Sequence, residues 1–264
     1  MWQSPSVRQR LASGKQQFGL FMNTCSPVVT EIAARAGFDV LLFDHEHGPG
    51  SVQDAIACMN AARGSNAECW VRVPNNDPVY PKNYLDAGAD GIMCPMVSTA
   101  EEARRFVSYC QYPPHGIRGL APAATRHSNF GYARDEYLKR VKDDLTILIQ
   151  IETREAVENV EAIAAIDGVD VLFLGPIDLS ASLGVFGEFN HPILLDAMKR
   201  IEAAARKAGK PLATLYMPGM DVKNLVERGY TMLIGGGDIG VIRTGMQGTM
   251  AMLQKAAAEA QRHG

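Results

Sequence analysis

The chain of 264 residues has no run of about 18 apolar side chains, the length a membrane-spanning helix needs. Its opening residues, Met1-Trp2-Gln3-Ser4-Pro5, lack the apolar core of an export signal. A soluble, cytoplasmic protein is expected. Charge of one sign is also missing. The 26 Lys and Arg against 29 Asp and Glu leave a net charge of −3, which makes no electrostatic case for nucleic acid or an anionic membrane surface. Small-molecule chemistry remains. The five cysteines (Cys25, Cys58, Cys69, Cys94, Cys110) are an odd number and contain no CxxC pair. That excludes a disulfide framework and a cysteine zinc site, and they read as reduced core residues. No linker of biased composition interrupts the chain, so residues 1–264 are expected to form one domain.

What is present is ordinary globular composition, 47% hydrophobic and 21% charged, arranged in a strict rhythm. Short apolar runs alternate with longer segments of helical period. The runs Phe18–Met22, Val40–Phe43, Trp70–Val73, Gly91–Pro95, Thr146–Ile151, Val171–Leu174, Leu212–Leu215 and Thr231–Gly235 read as strands. Between them, Pro27–Ala36, Val52–Ala62, Pro78–Ala87, Ala100–Tyr109, Glu155–Ala165, Pro192–Ala208, Asp221–Arg228 and a last segment from about Ile239 to Arg262 read as helices. Gly37, Gly88, Gly209 and Gly229 stand where left-handed C-caps belong. Eight βα units predict a (β/α)₈ barrel, with a doubly wound open sheet as the alternative. Two stretches break the rhythm. Gln111 to Asp144, rich in Pro and Gly, predicts a structured loop with a helix near Asp135–Lys142, and Gly184–Asn190 predicts a flap.

A barrel enzyme keeps its chemistry where strands end, and these ends are polar. Val40-Leu41-Leu42-Phe43 empties into Asp44-His45-Glu46-His47-Gly48-Pro49. The third strand carries Arg72, the fifth Gln150 and Glu152, the sixth Gly175-Pro176-Ile177-Asp178, and the eighth Gly235-Gly236-Gly237-Asp238. Glu152 and Asp178 are suited to a hard divalent ion, which needs one or two protein carboxylates, unless arginines such as Arg154 engage them instead. His47 could be a ligand or a base, with a neighbouring carboxylate fixing its tautomer. Arg72, flanked by Val71 and Val73, needs a partner for its charge: either an oxyanion of the substrate or an internal salt bridge. None of the nine lysines falls at a strand's carboxyl end, so covalent imine chemistry is not expected. Gly235–Gly240 matches GxGxxG but is followed by one helix and no second strand, so it reads as a tight turn, at most a minor anion nest.

These residues resemble the HpcH/HpaI aldolases, metal-dependent pyruvate aldolases that include 4-hydroxy-2-oxoheptanedioate and 2-keto-3-deoxy sugar-acid aldolases. The segments that carry the resemblance are Gly37-Phe38-Asp39 through Pro49, Tyr112-Pro113-Pro114-His115-Gly116-Ile117-Arg118-Gly119, Gln150-Ile151-Glu152-Thr153, and Gly168-Val169-Asp170 through Ser180. The resemblance implies cleavage or formation of 4-hydroxy-2-oxo acids through a metal-stabilised enolate, with a 2-oxo acid and an aldehyde as partners. It implies His47 as base, Arg72 as stabiliser of the enolate, and Asp44 and Asp86 as aspartates tied to the histidine's basicity. Glu152 and Asp178 become ligands to Mg²⁺ or Mn²⁺, with Co²⁺ or Zn²⁺ as alternatives. Gln150, Gly175, Pro176, Ile177 and Asp178 become the pyruvyl-binding positions. It further implies a homo-oligomer, hexamer or trimer, whose subunits exchange the last helix, with Asp86 acting across a subunit boundary. His45 stands where the family usually has glycine, Gly48 where it often has alanine, and Leu215-Tyr216-Met217-Pro218 is bulkier than the family's segment. His45 is therefore expected to bear on acceptor preference. A citrate-lyase-like or acyl-CoA carbon–carbon lyase, and a non-catalytic metal-binding relative, are the alternatives. The first would want a basic surface for CoA phosphates, and the intact set of His47, Arg72, Glu152 and Asp178 argues against the second.

Overall fold

In a computed structural model, which describes residues 5–217 and 220–262, eight parallel strands close into a barrel in chain order. The strands are β1 (Gln17–Met22), β2 (Val40–Asp44), β3 (Glu68–Arg72), β4 (Gly91–Cys94), β5 (Thr146–Ile151), β6 (Val171–Leu174), β7 (Leu212–Leu215) and β8 (Tyr230–Gly237). Closure of β8 onto β1 rules out the open-sheet alternative. The helices are α1 (Val7–Ala12), α2 (Pro27–Ala36), α3 (Val52–Ala61), α4 (Val79–Ala87), α5 (Ala100–Cys110), α6 (Arg134–Asp144), α7 (Arg154–Glu158), α8 (Val160–Ala164), α9 (Pro176–Ser182), α10 (Pro192–Ala208), α11 (Val222–Glu227) and α12 (Asp238–Arg262). No helix among the described residues is long and apolar enough to cross a membrane.

Three differences from the sequence reading have local causes. The segment Glu155–Ala165 is two short helices, α7 and α8, joined at Asn159. Two further helices are shorter than the helical period needs to register. One is α1, announced only by the capping box of Ser6 and Gln9, and the other is α9, begun by Pro176 at its first turn. The glycine caps behave as expected, with Gly37, Gly88, Gly209 and Gly229 all at positive φ.

Side chains alternate across each strand, and that parity sorts the chain into two cores. Val40, Leu42, Trp70, Met93, Leu148, Val171 and Phe173 fill the barrel interior, where Val7 and Leu11 of α1 join them and plug the foot. Leu41, Phe43, Val71, Ile92 and Ile149 face outward under the helical layer. Trp70 fits only because its register partner is Gly91, where a Cβ would lie 2.8 Å from the indole ring.

The foot is fastened by a three-fold Gly-x-Asp device. Asp39, Asp90 and Asp170 each follow a left-handed glycine, and each accepts the N–H of a residue in the preceding strand: Phe18, Cys69 and Ile147 respectively. Two of the segments that carry the family resemblance thus have a structural job on the face opposite the polar strand ends. Glu68 adds a fourth tie, accepting the N–H of Val7 at 2.6 Å and of the Trp70 indole at 2.9 Å.

Truncating Leu11 to alanine should leave a cavity in the plug and cost about 2–5 kcal/mol of unfolding free energy, measured by urea denaturation. Burial, with the charge of Asp90 beside it, pushes Glu68 up to about 8. The folded state therefore holds a proton that the unfolded chain has released above its usual carboxylate range. Stability should fall as pH rises from about 5 to 8. Asp90 and Glu152, raised by burial to about 6 and about 7, share that slope, so Glu68→Gln should reduce it, most at its upper end, and an unchanged slope would show that Glu68 does not contribute.

Candidate active site

The same alternation that packs the interior delivers polar groups to its upper end. Asp44 continues the inward series Val40, Leu42, and Arg72 continues Trp70. Gln150 and then Glu152 continue Leu148, and Gly175 continues Val171, Phe173. Register places Asp44 directly beside Arg72. Arg72 donates from Nε to Asp44 Oδ1 at 2.9 Å and from Nη2 to Asp44 Oδ2 at 2.7 Å, a two-point pair at the top of the barrel. Its third nitrogen, Nη1, lies 3.0 Å from Glu46 Oε2, and its carbon stands 4.7 Å from the centre of the Phe21 ring. The charge that had to be balanced is balanced internally, by Asp44 and Glu46.

Asp44 is wholly buried and heavily served. Besides Arg72 it accepts from Asn23 Nδ2 at 2.6 Å and from the backbone N–H groups of Glu46 and His47 at 3.2 and 3.3 Å. Burial pushes its carboxyl up, but the Arg72 guanidinium and the two amides outweigh it and hold it below the usual carboxylate range. The expectation that Asp44 tunes the His47 ring is corrected here. The chain folds back after β2, so the carboxylate meets the backbone of His47 rather than its imidazole. The carboxylate nearest the ring is Glu46, with Oε2 3.8 Å from His47 Nε2. The His47 side chain is 63% exposed and stands free at the mouth.

Glu152 is 2% exposed. Its Oε1 accepts the Met96 N–H at 2.6 Å, and its Oε2 accepts from Gln150 Nε2. Burial, less the help of those two donors, raises it to about 7, and the charges of Glu46 and Asp178 add to the rise. Gly175 belongs to this arrangement, because a Cβ there would sit 3.0 Å from Glu152 Oε2 and 3.1 Å from Gln150 Nε2. Pro176 opens α9 without an N–H, leaving the amides of Ile177 and Asp178 as its first donors. The Asp178 carboxylate, in that first turn, is exposed and has no hydrogen bond or ion pair among the described residues. Arg154 does not engage the pair, since its guanidinium reaches Leu183 O at 3.3 Å.

Arg72 is committed to Asp44 and Glu46, so Glu152 and Asp178 face the mouth without a cation. Among the described residues no three His, Cys, Asp or Glu side chains form a closed ion site. Two carboxylates suit a hard oxygen-liganded ion such as Mg²⁺ or Mn²⁺, which takes its other ligands from water and substrate.

Two sequence-predicted residues lie elsewhere. Asp86, late in α4, pairs with the buried Arg118 at 2.6 Å and has no bond to His47 within the chain. His45 is 6% exposed, and its ring reaches the Tyr84 hydroxyl of α4 at 2.8 Å. Two residues that sequence reasoning missed complete the site. Met96 supplies an amide to Glu152 from a left-handed backbone (φ 56°), and Asn23 braces Asp44. Asp238 spends its carboxylate on the N–H groups of Asn23, Thr24 and Ile239, fastening β8 to β1 where a minor anion nest had been considered. Asn23 could have been found from its place one residue beyond β1. Nothing in the sequence marks Met96.

A family model described as HpcH/HpaI aldolase/citrate lyase matches residues 17–244. Over 237 residues the chain is 40% identical to the 5-keto-4-deoxy-D-glucarate aldolase of Klebsiella pneumoniae subsp. pneumoniae, spanning 90% of this chain and 92% of that protein. The crystal structure of an HpcH/HpaI aldolase/citrate lyase family protein from Burkholderia cenocepacia superimposes with a TM-score of 0.89 at 32% identity, covering 94% of this chain and 98% of that one. An HpcH/HpaI aldolase from Desulfitobacterium hafniense gives 0.86 at 30% identity, over 94% and 96% of the two chains. The chain belongs to the HpcH/HpaI aldolase/citrate lyase family and is a carbon–carbon lyase, a class II aldolase.

Proposed function

We propose that the protein catalyses reversible aldol cleavage of a 4-hydroxy-2-oxo acid to pyruvate, or a close analogue, and an aldehyde. The observation that carries this reading is the uncompensated pair Glu152 and Asp178 at the mouth that also holds Arg72 and a freely standing His47. Glu152 and Asp178 would hold a divalent ion, Mg²⁺ or Mn²⁺ in the first instance, and such an ion supplies Lewis acidity to the 2-oxo group and carboxylate of the substrate. The amides of Ile177 and Asp178, at the start of α9, suit the substrate carboxylate, and Gln150 suits the pyruvyl group beside it.

His47 then takes the proton of the 4-hydroxyl, the bond between the third and fourth carbons breaks, and its electron pair passes to the 2-oxo oxygen. Arg72 meets that developing negative charge with the N–H groups that Asp44 and Glu46 leave free, from a position they already fix, so no reorganisation is needed at the moment of reaction. The aldehyde leaves, and the proton held on His47, returned to the third carbon, gives pyruvate. The relatives' substrate, 5-keto-4-deoxy-D-glucarate, is itself a 2-oxo acid with a methylene beside the oxo group and a hydroxyl beyond it, which makes it the first compound to assay.

The oligomer and the exchange of α12 belong to the same reading. Val241, Met246, Met250 and Leu253 on α12 are exposed, and within the chain the helix packs chiefly on β1 and β8, so a neighbouring subunit of a hexamer or trimer would cover it. Such an assembly is also what would bring Asp86 to a second subunit's mouth.

With a divalent metal in heavy water, the protein should exchange the methyl protons of pyruvate, seen by proton NMR. His47→Ala and Glu152→Ala should each slow that exchange by roughly a hundredfold or more, and a chelator should abolish it. Full exchange in the chelated protein, or in either variant, would defeat the proposal.

A further inference from the structure

His45 is the residue of the charged turn that the reaction does not use, and its surroundings assign it a task. Its ring lies against α4. Nδ1 shares a hydrogen bond with the Tyr84 hydroxyl at 2.8 Å, and the two rings meet edge-on with centres 4.8 Å apart. Tyr84 is itself 3% exposed. On the other side, a Cβ built on Gly50 would come within 3.1 Å of the imidazole Cε1 and 2.4 Å of Cys25 Sγ. The ring therefore fills the space between α4 and the returning leg of the turn that carries His47.

The His47 ring has no such support. It is exposed, and its nearest charged neighbour is Glu46 at 3.8 Å. Its aim is set by its backbone, which is pinned at three places. Asp44 Oδ1 holds the amides of Glu46 and His47, and Gly48 is pressed so close to the carbonyl of Asp44 that a Cβ would lie 2.1 Å from it. The third pin is the ring of His45. Burial holds the ring's pKa below its usual value and prevails over Asp44, the Gly50 backbone and Asp54, which favour the cation, so the pin is a neutral imidazole near pH 7.

We infer that His45 is a positioning residue: through its hydrogen bond to Tyr84 and its packing under Gly50 it fixes the turn on α4 and so aims the His47 imidazole at the reacting carbon and its hydroxyl. This rests on the proposed aldol chemistry. The backbone at residue 45 is not left-handed, so alanine is tolerated there without strain.

The test uses His45→Ala and Tyr84→Phe in the full-length protein with Mn²⁺, reading pyruvate methyl exchange, its pH profile and the melting temperature. Tyr84→Phe, which keeps the packing, should slow exchange about three- to tenfold, and His45→Ala roughly ten- to a hundredfold. KM for pyruvate should stay within about twofold, because the pyruvyl contacts come from other strands. The double variant should be no slower than His45→Ala alone, as two parts of one device require. Leu225→Ala, which destabilises a distant part of the outer layer, should lower the melting temperature without slowing exchange below its melt. Exchange at the wild-type rate in both variants, or equal slowing in Leu225→Ala, would overturn the role of His45. A wild-type protein that exchanges no protons would overturn the aldol reading itself, and this role with it.

Discussion

The upper end of the barrel depends on one ion pair. Asp44 and Arg72 sit side by side on neighbouring strands, both pointing inward, both removed from water, and joined at two points. Leaving either alone would strand a buried charge at a cost of about 3–5 kcal/mol, so neither can be changed independently. Each also reaches past the other. Asp44 collects Asn23 from β1's end and the amides of the His47 turn, while Arg72 gathers Glu46. The pair thereby sets the shape of the turn and orients the guanidinium before any substrate arrives.

Around that pair the barrel divides its labour by face. At the foot, carboxylates are spent on backbone amides: Asp39, Asp90 and Asp170 on strand starts, and Glu68 on the plugging helix. At the mouth, Asp238 does the same for the seam between β8 and β1, Glu152 takes one backbone and one side-chain donor but no cation, and the Asp178 carboxylate has no bond among the described residues. The acidic residues of the chain are thus of two kinds that look alike in sequence and differ in what the backbone around them leaves unsatisfied.

That difference explains how much could be read in advance. All eight strands and the closed barrel were legible, because a period of two between glycine-capped helices is a strong local signal. Strand ends then pointed to Arg72, His47, Glu152 and Asp178, which the fold does gather at one mouth. Two things were not legible. The partner of a given carboxylate depends on register across strands, so Asp44 was assigned to the His47 ring when β2–β3 pairing gives it to Arg72. Short elements and backbone donors leave no periodic trace, which hid α1, α9 and the strained amide of Met96. His45 gave no sign of its surroundings because the partner of its ring is Tyr84, 39 residues away.

The central claim, that the geometry of the Asp44–Arg72 pair is what makes this mouth reactive, is tested most directly by Arg72→Lys, assayed for metal-dependent pyruvate proton exchange. Lysine keeps the positive charge that Asp44 needs but offers a single point in place of the planar fork. The variant should fold and melt within a few degrees of wild type yet exchange protons roughly a hundredfold more slowly. Exchange within about threefold of wild type would contradict it, since charge alone would then suffice.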